Sequence, residues 1–269
     1  MKLDCVLTAV NDDTFYSSFI PLFTESWKCL YPTVDVKIVY ISTKLPVEYE
    51  KFKENIIMLN PIDEIHTGFT AQFVRILYPS LLQYENGVMI TDIDMIPMSD
   101  TYFTEHISQF GNDKFISYRG NVLKHENQIA MCYNIATPAI WKMISGVTCV
   151  DDVVKRLRNV NQANNISGES GGQGWFLDQI HLYQYATKWH MNTNCLVCLN
   201  DDETKFNRLD GRYLDIRRNY DSISTHIKNK EYTDFHCSRP MEKYHDINWE
   251  MQKLAKLSIS QNISGRSRG

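Results

Sequence analysis

The sequence predicts an α/β protein: a mixed, mainly parallel sheet flanked by helices and folded as a single domain. Within the first hundred residues, short apolar runs alternate with segments of helical periodicity, the pattern of strand–helix–strand units in a parallel sheet. Those runs are mainly apolar rather than strictly alternating, as expected of strands buried on both faces. At 269 residues and 43% hydrophobic content the chain is long enough for one large core.

The elements follow in order. Leu3 to Val10 (LDCVLTAV), Val34 to Ser42 (VDVKIVYIS), Asn55 to Leu59 (NIIML) and Gly87 to Thr91 (GVMIT) predict four buried strands. Helical patterns fill the intervals at Phe15 to Leu30, Val47 to Glu54 and Thr67 to Tyr84. In the last, Phe69, Phe73, Leu77 and Leu81 recur every fourth residue and form a stripe toward the sheet, with Gln72 and Arg75 off it. Pro79 should kink or divide that helix. Beyond residue 100, Phe115 to Tyr118 and Ile129 to Ala136 read as strands, and Pro138 to Ser145 and Trp175 to Tyr185 as helices. Residues 159–174 (NVNQANNISGESGGQG) are rich in Asn, Gly and Ser and predict a mobile loop.

Composition excludes several classes of function. Twenty-eight Lys and Arg against 32 Asp and Glu give a net charge of −4, and the basic residues are scattered, so no face is built for nucleic acid. No run of about 18 apolar residues is present to span a membrane, and Met1 to Val10 has no secretory-leader pattern. Seven cysteines, an odd number, do not form a disulfide framework. The expectation is a cytoplasmic chain with reduced thiols, in which the sequons at Asn165 and Asn262 carry no weight. Cys195 and Cys198 form a lone CxxC near His190, without the second pair that a zinc site needs.

The segment richest in chemistry is Tyr84 to Asp100, YENGVMITDIDMIPMSD. The strand ends in Asp92-Ile93-Asp94, and alternation along it points both carboxylates one way and Ile93 into the core. Two carboxylates in an apolar setting repel each other and lose hydration unless a cation joins them. Oxygen ligands select Mg²⁺ or Mn²⁺, which substrate phosphates commonly help to hold.

An acidic DxD at a buried strand's end, preceded by QFVRILYPSLLQYENG, resembles the GT-A glycosyltransferases, particularly the retaining group that contains glycogenin and bacterial galactosyltransferases. Other segments are similar in the same order: LTAVNDDTFY (Leu7 to Tyr16), MCYNIATPAIW (Met131 to Trp141), GWFLDQI (Gly174 to Ile180) and FHCSRP (Phe235 to Pro240). The resemblance spans about residues 3–245. It departs from the family at Ile180, where a second Asp often follows the Gln, and at Arg239, in place of a lysine further on. It implies a GT-A domain over residues 1–250, with a nucleotide-binding half (1–100), an acceptor half (101–250), and a C-terminal helix and tail at 251–269.

The resemblance also implies roles. Asp92 would contact donor ribose and metal, while Asp94 and His236 would complete the metal ligands. Arg75 would reach the nucleotide or the DxD carboxylates. Thr8, Asn11, Asp12 and Tyr16 would form the base pocket, Tyr16 by stacking, and Arg239 would bind phosphate. Asp178 and Gln179 would lie by the donor sugar and stabilise an oxocarbenium-like state in a retaining enzyme. In an inverting one, Glu169 or Asp178 would act as general base. The implied activity is Mn²⁺- or Mg²⁺-dependent transfer from a UDP-sugar to a glycan or protein acceptor, in a bacterium or in the host cytoplasm of a large DNA virus. Two alternatives stand beside it. A sugar-nucleotide nucleotidyltransferase should carry a glycine-rich loop after the first strand, and residues 8–16 hold no glycine. A non-catalytic sugar- or nucleotide-binding module would bind UDP without releasing it from a donor.

Overall fold

The structure, a computed structural model, describes residues 1–164, 166 and 171–266, with side chains up to residue 259. Among these residues ten strands form two sheets. In chain order they are β1 (Leu3–Asn11), β2 (Asp35–Ile41), β3 (Ile56–Leu59), β4 (Gly87–Ile90), β5 (Met95–Pro97), β6 (Phe115–Tyr118), β7 (Asn134–Ala136), β8 (Leu196–Leu199), β9 (Arg208–Asp210) and β10 (Asp234–His236). The larger sheet has the order β3-β2-β1-β4-β7-β6-β8, and the smaller β5-β10-β9. In the larger, β1 runs parallel to both β2 and β4, β2 parallel to β3, and β6 parallel to β8. Only β7 is antiparallel to its neighbours β4 and β6, so the sheet is mixed and mainly parallel, as predicted.

The predominance of apolar residues in the strands has a direct cause. On β2, Val36, Ile38 and Tyr40 enter one core cluster while Val39 and Ile41 enter the other. On β4, Met89 faces the first cluster, and Val88 and Ile90 the second. Helix Ile20–Leu30 covers one face with Phe23 and Trp27, and helix Thr67–Val74 covers the other with Phe69 and Phe73. Both faces are therefore dry, and each strand needs apolar residues on each side.

Several elements differ from their predicted bounds. Phe15 to Leu30 is two helices, Thr14–Ser17 and Ile20–Leu30, with Pro21 opening the second. Thr67 to Tyr84 stops as an α-helix at Val74 and resumes as a 3₁₀ turn over Tyr78–Leu81, with Pro79 in its first turn. Proline lacks the N–H that a continuing helix needs and disfavours helical geometry at the residue before it. Val47–Asn55 is 3₁₀ rather than α-helical. Of Ile129 to Ala136 only Asn134–Ala136 is strand, because buried Asn134 donates Nδ2 to Ala130 O and Met131 O and ties the preceding residues into a turn. Residues 159–164 of the predicted loop belong to helix Val150–Asn164, whose Val153, Leu157 and Val160 bury a stripe. Asn165 and residues 167–170 lie outside the described residues.

The C-terminal helix begins at Met241, ahead of residue 251, and Met251, Leu254 and Ala255 enter the core. No helix among the described residues is long and apolar enough to cross a membrane.

The smaller sheet is fastened by a buried ion pair. Asp234 is fully buried on β10, and Arg208 Nε on β9 meets both its oxygens at 3.0 Å while Nη2 reaches Oδ2 at 2.5 Å. The Tyr133 hydroxyl, just before β7 of the larger sheet, donates to the same Oδ2 at 2.7 Å. Removing one partner of such a pair strands the other's charge in the interior. Asp234→Ala is therefore expected to lower the unfolding free energy by about 3–5 kcal/mol, read from urea titrations. A loss under about 1 kcal/mol would show that this pair does not hold the two sheets together.

Candidate functional site

The DxD tripeptide sits where the two sheets meet. Strand β4 ends at Ile90, and Asp92-Ile93-Asp94 forms a turn into β5, with Met95 N donating to Asp92 O at 3.3 Å. This corrects the expectation of strand alternation. Ile93 is buried as expected, but the turn sends the two carboxylates to different partners.

Asp92 is ion-paired with Nη1 of Arg75. That arginine follows helix Thr67–Val74 as its C-cap and is 7% exposed, so it is no surface charge. Its Nη2 meets Asp178 Oδ2 at 3.0 Å, and its Nε donates to Gln72 O. Asp178 lies in the first turn of helix Leu177–Thr193 and accepts from Gln179 N at 2.8 Å. Arg75 thus bridges two carboxylates. Burial pushes the Asp178 carboxyl up to about 6; Arg75 opposes the rise and Asp92 adds to it.

Asp94 has a separate set of partners. Its Oδ2 lies 3.1 Å from His236 Nε2 and 3.3 Å from Arg239 Nη1, and Arg239 Nη1 also donates to the Tyr16 hydroxyl at 2.9 Å. The pairing of β10 with β5 produces this contact, since Met95 is the register partner of His236. Burial pushes the Asp94 carboxyl up, but the imidazole charge and hydrogen bond of His236, with Arg239, outweigh it and hold the group down to about 2.

The expected residues therefore fall into two joined groups: Asp178–Arg75–Asp92, and His236–Asp94–Arg239–Tyr16. Others lie apart from these pairings. Thr8 is fully buried within β1, and its hydroxyl has no hydrogen-bond partner among the described residues. Asn11 closes β1 and donates to Thr67 Oγ1 at 3.1 Å, and exposed Asp12 accepts from Ser42 Oγ at 3.4 Å. The Gln179 carbonyl accepts from Ile129 N at 3.3 Å. Glu169 lies outside the described residues.

For a divalent ion the fit is partial. Asp94 Oδ2 and His236 Nε2, 3.1 Å apart, match neighbouring corners of an octahedron with bonds of about 2.1 Å, whose edge is about 3 Å. Asp92 is turned to Arg75, and among the described residues no three His, Cys, Asp or Glu side chains are grouped as ligands. The protein thus offers two donors, a number that suits an ion completed by water and phosphate oxygens.

Beside Arg239 opens a cleft of about 290 Å³ lined by Phe15, Tyr16, Gly211, Arg212, Arg239 and Tyr244. Arg212 is fixed by Asp210, through Nε to Oδ1 at 2.9 Å and Nη2 to Oδ2 at 2.7 Å. A Cβ on Gly211 would come within 2.5 Å of Ser238 Oγ, so a glycine is needed where this turn packs on the segment after His236. Arg212, Phe15 and Tyr244 were not among the expected site residues; the Asp210-Gly211-Arg212 turn is a local signal for Arg212 alone.

Parallel strands ending at an acidic turn beside a second, smaller sheet make a single-domain mixed α/β protein, and its fold matches that of glycosyltransferases of GT-A architecture. Among solved structures, the apo glycosyltransferase GlyE of Streptococcus pneumoniae TIGR4 aligns with a TM-score of 0.50 and 13% identity over 97% of this chain. This chain spans 64% of the GlyE chain. Galactosyltransferase LgtC, in complex with donor and acceptor sugar analogs, aligns at 0.45 and 12% identity over 95% of each chain. A glycosyltransferase involved in glycosylation of the major capsid of PBCV-1 aligns at 0.40 and 10% identity over 93% of this chain and 99% of its own. No protein-family model matches the chain, and no curated protein does.

Asp178 and Asp94 have opposite effects on stability with pH. The folded chain keeps the Asp178 proton above the ordinary value of 3.8, so stability falls as pH rises from about 4 to about 6. Asp94, depressed, adds stability above its ordinary value that is lost as pH falls toward about 2. Against Asp178→Asn, wild-type stability should decline across pH 4–6 by at most about 1.4 kcal/mol per pH unit, measured by urea unfolding at each pH. A difference independent of pH would show that Asp178 ionises normally.

Proposed function

We propose that the chain is a glycosyltransferase that moves a sugar from a nucleoside-diphosphate sugar, a UDP-sugar, to a glycan or protein acceptor. The observation that carries this reading is the junction of the acidic turn with the cationic, aromatic cleft. Two arginines can form charge-assisted hydrogen bonds to a diphosphate, and the Phe15, Tyr16 and Tyr244 rings offer surfaces for a base. Asp94 and His236 would hold Mn²⁺ or Mg²⁺, which when bound neutralises the departing diphosphate.

The chain's own residues then divide the work. Arg239 and Arg212 bind phosphate oxygens, and Arg75 keeps Asp92 at the mouth of the site, where it can meet the ribose. Asp178 is held by Arg75 at 3.0 Å, and transfer in this reading is retaining. Asp178 and Gln179 in this reading stabilise positive charge on the sugar while the diphosphate oxygen takes the acceptor proton.

Thermal shift with UDP and a panel of UDP-sugars, with and without Mn²⁺, tests the reading alongside UDP release. A ligand at 100 times its Kd adds about 2.7 kcal/mol to stability, so UDP with Mn²⁺ should raise Tm clearly, and Asp94→Ala should abolish both the metal-dependent shift and turnover. Stabilisation without UDP release from any donor would identify a binding module. No shift with any nucleotide would overturn nucleotide binding itself.

A further inference from the structure

One carboxylate oxygen faces both an imidazole and a guanidinium. Asp94 Oδ2 faces His236 Nε2 at 3.1 Å and Arg239 Nη1 at 3.3 Å. A guanidinium this close occupies the space and supplies the positive charge that a divalent ion would bring, and like charges at such a separation repel. Arg239 must therefore leave Asp94 before Oδ2 can ligate a metal.

The side chain has somewhere to go. It is one-quarter exposed and opens on the cleft of Phe15, Tyr16, Arg212 and Tyr244, with its guanidinium 5.9 Å from the Phe15 ring and 5.8 Å from the Tyr16 ring. Arg212 in the same cleft is already neutralised by Asp210. Once detached from Asp94, Arg239 is the cation that calls for an incoming anion.

We propose that Arg239 is an exchangeable counter-ion: it covers Asp94 in the donor-free protein and passes to the donor's diphosphate when a divalent metal takes that oxygen. Metal and nucleotide then each bind better in the presence of the other. The inference rests on Asp94 and His236 as the metal-holding pair.

The test measures binding rather than turnover: loss of the free Mn²⁺ electron paramagnetic resonance signal for the metal, and calorimetry for UDP. In the wild type, UDP should tighten Mn²⁺ binding within the range of about 5- to 150-fold common for linked sites. Arg239→Met should bind Mn²⁺ alone about fivefold tighter or more, and bind UDP with Mn²⁺ about tenfold weaker or more. Its linkage should shrink to about threefold or less. Arg239→Lys, which keeps the charge, should stay near the wild type. Arg212→Gln should weaken UDP without tightening Mn²⁺ alone.

If wild type binds Mn²⁺ with UDP but Arg239→Met holds Mn²⁺ alone no tighter, the exchange is overturned and the metal site stands. Equal tightening by Arg212→Gln also overturns it, since the effect would then be general charge removal. No Mn²⁺ binding by the wild type, with or without UDP, overturns the metal site and the exchange together.

Discussion

Three residue pairs between β5 and β10 decide whether this molecule has a site. Asp234, Phe235 and His236 pair antiparallel with Pro97, Ile96 and Met95, which places His236 against Asp94 although the two are 142 residues apart in the chain. Backbone pairing this short contributes little alone and needs packing to persist. It is supplied by Phe235, fully buried, and by Asp234, gripped between Arg208 and Tyr133. The ion pair that fastens the small sheet is thus two residues from the histidine that faces Asp94, and the two functions share one strand.

The same economy governs the charges. Isolated carboxylates at a buried sheet edge would be protonated or exposed. Here each acquires a cation from a different part of the chain: Asp92 from the end of a helix, Asp94 from the C-terminal segment. The turn between β4 and β5 makes this possible by sending adjacent acids in separate directions. One consequence is that Arg75 ties the DxD turn to the start of helix Leu177–Thr193, so the acidic turn and Asp178 are held as a single unit. Pairs of this kind are screened little by salt because water scarcely reaches them.

The sheet was legible where hydrophobic period alone determines structure. Strands β1, β2 and β4 are mainly apolar because both faces are buried, and the few polar residues on β1 and β2, such as Asp4 and Lys37, do not obscure the signal. The helix end near Val74 was legible only as a disturbance at Pro79, since the local break depends on where the chain must turn next. Helix Val150–Asn164 was partly hidden because the Asn-rich composition of its last turn mimics a loop, while its buried stripe of Val153, Leu157 and Val160 is sparse. In the site, the resemblance singled out Asp92, Asp94, Arg75, Asp178, His236 and Arg239, which fall into two paired groups, while Thr8, Asn11, Asp12 and Gln179 lie apart from them. What it could not supply is which partner each acid takes, because that depends on a turn geometry set by the second sheet. Arg212 had only the Asp210-Gly211-Arg212 turn to mark it, for the same reason: its place beside the site follows from the β9–β10 pairing.

The contact between Arg239 and Tyr16 closes a loop of 223 residues, and Asp94 waits for His236 across a further long span. Closing such loops is entropically slow and contributes late in folding. During synthesis, therefore, the ribosome exposes a chain that carries Asp92 and Asp94 long before the imidazole and guanidinium that complete their surroundings exist. A partly made chain has the acidic groups without the side chains that later pair with them. The pairing of Asp94 with His236 and Arg239 arrives as one of the last events in the protein's formation, which makes the surroundings of that carboxylate a report on whether the two sheets have docked.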